Sequence, residues 1–147
     1  MLLLLGGILQ LNELQEKYPG STTFIFGDSE ELCRELIRLV RIGKKLAACS
    51  ALRDIDSGVE SMPEVGQRSI ALNWDGTLAL VIETVSISQR RFCDVDETFA
   101  LAEGENDTLE GWRTDHQEFF GRNGGFDPTM MLVCERFRLI EDLSHDT

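Results

Sequence analysis

The stretch DSEELCRELIRLVRIGKKLAACSALR, residues 28–53, contains a helix, its stop and a strand in succession. Asp28 and Glu31 have the spacing of a capping box: the first side chain accepts from an early backbone N–H and the second reaches back. Glu30 and Glu31 also suit the positive end of the helix dipole. Leu32, Cys33, Leu36, Ile37 and Val40 recur at helical spacing, so one stripe faces a core. Arg34, Arg38 and Arg41 form a second, basic stripe. Gly43 can take the left-handed conformation that ends such a helix, and Lys44 and Lys45 follow at once. Leu46 to Leu52 is then an apolar run of mostly small residues, which predicts a buried strand.

Charge sets this stretch apart from the rest of the chain. Arg34, Arg38, Arg41, Lys44, Lys45 and Arg53 are six of the fourteen Lys and Arg residues, and from residue 34 to 53 they face one acid, Glu35. The segment carries 6 − 1 = +5, so the other residues carry −17 to give the total of −12. Such a focus can select an anion locally while its acidic surroundings repel long polyanions. The plainer reading is a solvated helix face paired with Glu30, Glu31 and Glu35.

Upstream, Thr22 to Phe26 predicts a short strand. Met1 to Leu11 is apolar, but no basic residue precedes it and it is too short to span a bilayer. It reads as the start of a helical extension over about residues 1–20, continuing through Leu14 and Lys17 and ending at Pro19-Gly20. Its leucines are expected to pack on the body of the protein or on another subunit, which leaves a homo-oligomer open.

Downstream, Asp54 to Gln67 reads as a loop. Ser69 to Asn73 and Leu78 to Ile87 are apolar runs joined through Trp74-Asp75-Gly76-Thr77, a hairpin signal because the glycine supplies positive φ. Glu83 is conspicuous among Ala79, Leu80, Val81, Ile82 and Val85. An acid there costs free energy unless it meets water or a partner, and at a pocket wall its pKa would rise into the useful range for acid–base work. Phe92 to Glu103 predicts a helix ended by Gly104, and a second helix starts at Asp107 or Thr108. Leu109, Trp112, His116, Phe119 and Phe120 share a stripe of that helix, as core or as a platform for stacked bases. Thr129 to Ile140 predicts a closing strand, and the tail from Glu141 to Thr147 is expected to fray.

At 147 residues, with 42% hydrophobic and 27% charged content, the chain fits one soluble domain. Cys33, Cys49, Cys93 and Cys134 are scattered, and with His116 and His145 they make no zinc-ligand spacing. The expectation is free thiols in a cytoplasmic protein with no metal, no cofactor and no membrane segment.

Gly43-Lys44-Lys45-Leu46-Ala47-Ala48-Cys49-Ser50, after Phe26-Gly27-Asp28-Ser29, resembles the signature of ASCH-domain proteins. The likeness continues through Pro63 to Gly66, Val81 to Thr84, Glu103-Gly104-Glu105, Leu109 to Arg113, His116, Phe119-Phe120 and Val133 to Phe137. It implies an α+β fold, a PUA-like mixed β-barrel flanked by helices, in the subgroup with a helical N-terminal extension. In relatives that hydrolyse N4-acetylcytidine, a strand glutamate, a lysine and a threonine three residues after that lysine form the active site. Lys45 and Glu83 resemble the first two, but the third position is Ala48, whose methyl group cannot attack a carbonyl. Thr108 resembles a small hydroxyl residue near the start of this helix in RNA-cleaving relatives, while Glu135 and Arg136 resemble positions near the pocket. In a regular strand Ser50 shares a face with Ala48, and Cys49 lies on the other.

These residues leave three readings open. In the binding reading the partner is RNA or a nucleoside or nucleotide: Lys44, Lys45 and Arg53 meet phosphate or base oxygen, Glu83 meets base N–H groups, and Ser50, Thr108, Trp112 and His116 complete the site. The hydrolase reading gives Lys45 and Glu83 shared proton transfers on a modified nucleoside or on RNA. In the third, an interaction module keeps the pocket without its chemistry.

Overall fold

The computed structural model describes residues 2–144, with α1 at Leu2–Lys17, β1 at Thr22–Phe24, α2 at Glu30–Arg41 and β2 at Ala47–Ala51. A short helix α3, Leu52–Asp56, leads to β3, Arg68–Leu72, and β4, Leu78–Arg91. After a 3-10 turn at Phe92–Asp94 come α4, Glu97–Ala102, α5, Leu109–Arg122, and β5, Met131–Asp142. The strands form one sheet in the order β1-β3-β4-β5-β2. The β1–β3 pair is parallel and the rest are antiparallel. The result is the expected α+β class, with a curled five-stranded half-barrel flanked by helices. Among the described residues no helix is long and apolar enough to cross a membrane.

Both faces of the central strands are covered, which is why β4 reads as an unbroken apolar run. Leu36, Ile37 and Val40 of α2 pack with Ala71, Leu80 and Ile82 on one face. Leu14 and Tyr18 meet Ile70 and Val81 on the other, so α1 docks on the sheet. Helices α4 and α5 bury Phe99, Trp112 and Phe120 against Ala47, Ala51 and Leu132. Side chains of residues 1–9, and His145 to Thr147 entirely, lie outside the described residues, and with them the expected packing of Leu2 to Leu5 and the end of the tail.

Local capping chemistry moves several predicted boundaries. Ser29 caps α2 in place of Asp28, accepting from the Leu32 N–H at 3.2 Å. Asp28 instead accepts from Arg122 Nε at 2.7 Å and from Asn123 Nδ2 at 2.8 Å, tying the start of α2 to the end of α5. The helix predicted over 92–103 is split because Asp96 caps α4 from within it, accepting from the Phe99 N–H at 2.8 Å. The loop predicted over 54–67 opens with α3, which turns off at Gly58, φ 84°. Glu141 and Asp142 do not fray: they remain in β5, where Lys17 and Tyr18 hold Glu141 and Arg41 holds Asp142.

Candidate functional site

Lys45 is placed by two glycines. Gly43, at φ 77°, ends α2, and the amides of Lys44 and Lys45 both donate to the Leu39 carbonyl, at 2.9 and 3.0 Å. Gly104, also at positive φ, lies so close to this segment that a Cβ there would sit 2.3 Å from the Lys44 carbonyl oxygen. That approach brings Glu103 and Glu105, on either side of Gly104, to the Lys45 ammonium. Lys45 Nζ lies 3.5 Å from Glu103 Oε1 and donates to Glu105 Oε2 at 3.0 Å and to the Glu103 carbonyl at 3.3 Å, with its side chain 2% exposed.

Helix α5 completes the cluster. Trp112, 0% exposed, donates its indole N–H to Glu103 Oε2 at 2.5 Å. The His116 ring stacks on Trp112 with centroids 4.2 Å apart, its Nδ1 2.8 Å from the Trp112 carbonyl and its Nε2 3.4 Å from Glu103 Oε2. Thr108 caps this helix by accepting from the Gly111 N–H.

Burial and charge compete at each titrating group. Burial alone would raise Glu103, but the Lys45 charge and the donors His116 and Trp112 outweigh it and hold the carboxyl at about 2. Burial would lower Lys45, yet the charges of Glu103 and Glu105 carry it above its ordinary value. His116 is likewise raised, because Glu103 outweighs desolvation. The Cys49 thiol goes well up, through burial first and the Glu103 charge second, so it is not a free thiolate nucleophile.

The cluster opens into a cavity of about 260 Å³. Phe26, Leu32, Leu36, Ala48, Phe119 and Phe120 give it apolar and aromatic lining. Its charged lining is Glu103, Glu105, Asp115 and Glu118 against Lys45 and Arg122, and Arg122 is already bound to Asp28. The excess of acid makes it a poor place for phosphate.

The basic stripe seen in the sequence is paired, two of its arginines within α2, as the plainer reading had it, and the third across the fold. Arg34 pairs with Glu30, Arg38 with Glu35 and Arg41 with Asp142. Lys45 and His116 do share the site, and Trp112 supports it from the core, where it cannot stack on a ligand. Phe119, half-buried and lining the cavity, is the aromatic left to do so. Glu83 is not beside Lys45. It is opposed in register by Arg68 on β3 and Arg138 on β5, and accepts from them at 2.5 and 3.2 Å. Those arginines hold its carboxyl below the usual range, the reverse of the rise expected at a pocket wall. Lys44 is exposed, Ser50 opposes Val133 within the sheet, and Thr108 serves as a helix cap. Arg53 donates to the Asn123 carbonyl at 3.1 Å and lines a separate hollow with Leu52 and Met131. Glu135 and Arg136 do not pair with each other: Glu135 accepts from Thr84 Oγ1, and Arg136 lies over the Phe99 ring.

The carboxylates that meet Lys45 are thus Glu103 and Glu105, to which the sequence reading gave no role. Their signal was the Glu-Gly-Glu run itself, where glycine permits the close backbone approach that two flanking acids need. The fold also brings together three residues that the sequence offered no spacing for: Cys49, Glu103 and His116 place a sulfur, an oxygen and a nitrogen within 4.8 Å of one another. Positions 49, 103 and 116 have no motif spacing, so only the fold brings them together.

A curled five-stranded half-barrel flanked by helices is the architecture of ASCH and other PUA-like structures. The model of the ASCH domain family matches residues 22–141, and the chain belongs to that family. It is similar to an ASCH domain from Lactobacillus crispatus JV V101, with 33% identity, a TM-score of 0.78, and coverage of 88% of this chain and 85% of that one. It is also similar to a protein from Enterococcus faecalis V583, with 29% identity, a TM-score of 0.80, and coverage of 95% and 90%. No curated protein matches the chain.

Proposed function

We propose that this ASCH domain binds RNA or a nucleoside by taking one unstacked base into the Lys45 cavity. The observation that carries this is the buried Lys45 ammonium, 3.0 Å from Glu105, in a cavity that Phe119 also lines. Lysine donates and carboxylate accepts, the complementary pair needed to read a base edge, while an aromatic ring stacks on its face. At about 260 Å³ the space falls just below the roughly 300–1,000 Å³ of typical ligand pockets, which suits a single nucleoside-sized group. Backbone phosphates stay outside, consistent with the acidic lining and a net charge of −12. The role first given to Glu83 passes to Glu105 in this reading.

Titration of the purified protein with the four ribonucleosides and a short single-stranded RNA tests it. At least one is expected to bind, with affinity falling about tenfold or more in Glu105→Gln, the loss of one charged hydrogen bond, and unchanged in Glu83→Gln. Equal effects of the two substitutions would refute the assignment.

The Lys45–Glu105 contact favours a second reading, a hydrolase in which the pair shuttles protons. Ala48 lines the cavity where the resemblance implies threonine, and the Cys49 thiol stays protonated, so attack would fall to water. Incubation with N4-acetylcytidine beside the Lys45→Ala variant decides it: deacetylated product that depends on Lys45 supports hydrolysis, and no product leaves the binding reading.

A further inference from the structure

We infer that Cys49, Glu103 and His116 form a binding site for a zinc-class divalent cation, with a fourth position open to the cavity. The donor set is thiol, carboxylate and imidazole, the soft and borderline mixture that zinc(II) takes. Three protein ligands facing a cavity is the arrangement of zinc sites that keep one position for water or substrate.

The geometry supports this independently of composition. His116 Nε2 and Glu103 Oε2 are 3.4 Å apart, long for a charge-assisted hydrogen bond, which closes to about 2.7–2.9 Å. A tetrahedral centre with bonds of about 2.0–2.2 Å has an edge of about 3.4 Å. The Cys49 sulfur is within 4.8 Å of a donor atom of each residue, so side-chain adjustment closes the other two edges to about 3.5 Å.

The outer groups are those that orient metal ligands. The Trp112 carbonyl accepts from His116 Nδ1, so once Nε2 gives up the proton it directs at Glu103, its lone pair is aimed at the site. The Trp112 indole N–H fixes Glu103 Oε2 through one lone pair and leaves the other free. Lys45 engages the opposite oxygen, Oε1, and Glu105. On binding, the thiol proton and the His116 Nε2 proton leave to solvent, and the thiolate and the neutral imidazole coordinate. The ion's two charges and that of Lys45 are then matched by the Cys49 thiolate, Glu103 and Glu105, so no buried charge is left uncompensated.

The site shares the proposed base cavity but does not rest on what that cavity binds. Metal-stripped full-length protein is titrated with cobalt(II), followed by its absorption spectrum, then with zinc(II). One cobalt per chain is expected, with a thiolate-to-metal band that zinc abolishes. Cys49→Ser should lose the band and bind at least tenfold more weakly, and Cys93→Ser, at an exposed thiol, should match wild type. Cys49→Ala serves as the second variant, and both are checked by thermal unfolding without metal. No band in the wild-type protein, or a band that survives the loss of Cys49, overturns the inference. Nucleoside binding by the metal-stripped protein is measured separately, so failure of the base-binding reading is seen on its own.

Discussion

Replacing Gly104 by alanine tests whether the close approach of two backbone segments builds the site. Gly104 and Gly43 have nearly identical conformations, φ 78° and 77°, so alanine at either carries the same cost of the left-handed region, about 1–2 kcal/mol. What surrounds the new Cβ differs. At Gly43 nothing lies within 4 Å, whereas at Gly104 it meets the Lys44 carbonyl oxygen at 2.3 Å, its carbon at 2.7 Å and Lys45 Cα at 2.9 Å. All three are backbone atoms, and the Leu46 N–H bond to the Ala102 carbonyl at 2.8 Å straps the segments together beside them. Forcing them apart adds an overpacking cost of about 1–3 kcal/mol. Gly104→Ala is then destabilised by about 2–5 kcal/mol and Gly43→Ala by about 1–2 kcal/mol. At about 2–4 °C per kcal/mol for a chain of this size, the melting midpoint falls by about 10 °C in the first and about 4 °C in the second. Circular dichroism melts of both variants and wild type read this directly. Equal shifts would refute the argument, because they would show the segments free to separate.

Lys45→Met keeps the bulk of the side chain but leaves Glu103 and Glu105 without their cation, and should cost about 3–5 kcal/mol in urea unfolding; a loss under about 1 kcal/mol would show the cluster already relieved by water. Asp28 is held below the usual carboxylate range, first by its hydrogen bond from Arg122, against a smaller opposing effect of burial. Because its folded value is the depressed one, the stabilisation is fully present above the ordinary carboxylate pKa of about 3.9 and lost as pH falls through the folded value. The gap in melting midpoint between wild type and Asp28→Asn should hold from pH 7 to about pH 5 and close below about pH 4, and a gap that widens on acidification would count against it. Phe119→Ala should weaken nucleoside binding by about 1–3 kcal/mol, about fivefold to 150-fold, while the melting midpoint moves little because the ring is partly exposed.

Much of the fold was legible because its signals are local. The Leu32-to-Val40 stripe and the Asp75-Gly76 turn lie within a few residues of the partners that give them meaning and were placed correctly, and the cap of α5 was narrowed to Asp107 or Thr108, of which Thr108 is the one. The boundaries that moved did so where two local signals compete: Ser29 beside Asp28, and Asp96 inside a helical pattern. The fate of Asp28 was hidden for a different reason. Its partners, Arg122 and Asn123, stand more than ninety residues away, and no periodicity reports a contact at that distance.

The same reasoning explains which neighbours of the cavity were legible and which were not. Arg34 and Arg38 found the local partners that the plainer reading of the basic stripe named, whereas the counter-ions of Arg41 and Lys45 are far away in sequence and only the fold brings them in. Lys45 was legible because the glycine before it fixes where it emerges. Its carboxylates were not, because Glu83 stands alone in an apolar strand while Glu103 and Glu105 lie in an ordinary polar turn. An acid in an apolar run has two remedies, a catalytic pocket or a cross-strand cation, and sequence shows neither partner. Arg68 and Arg138 supply the second remedy for Glu83, at 2.5 and 3.2 Å. The informative residue was instead Gly104, because a glycine between two acids lets both reach one buried ammonium, and its substitution tests that placement.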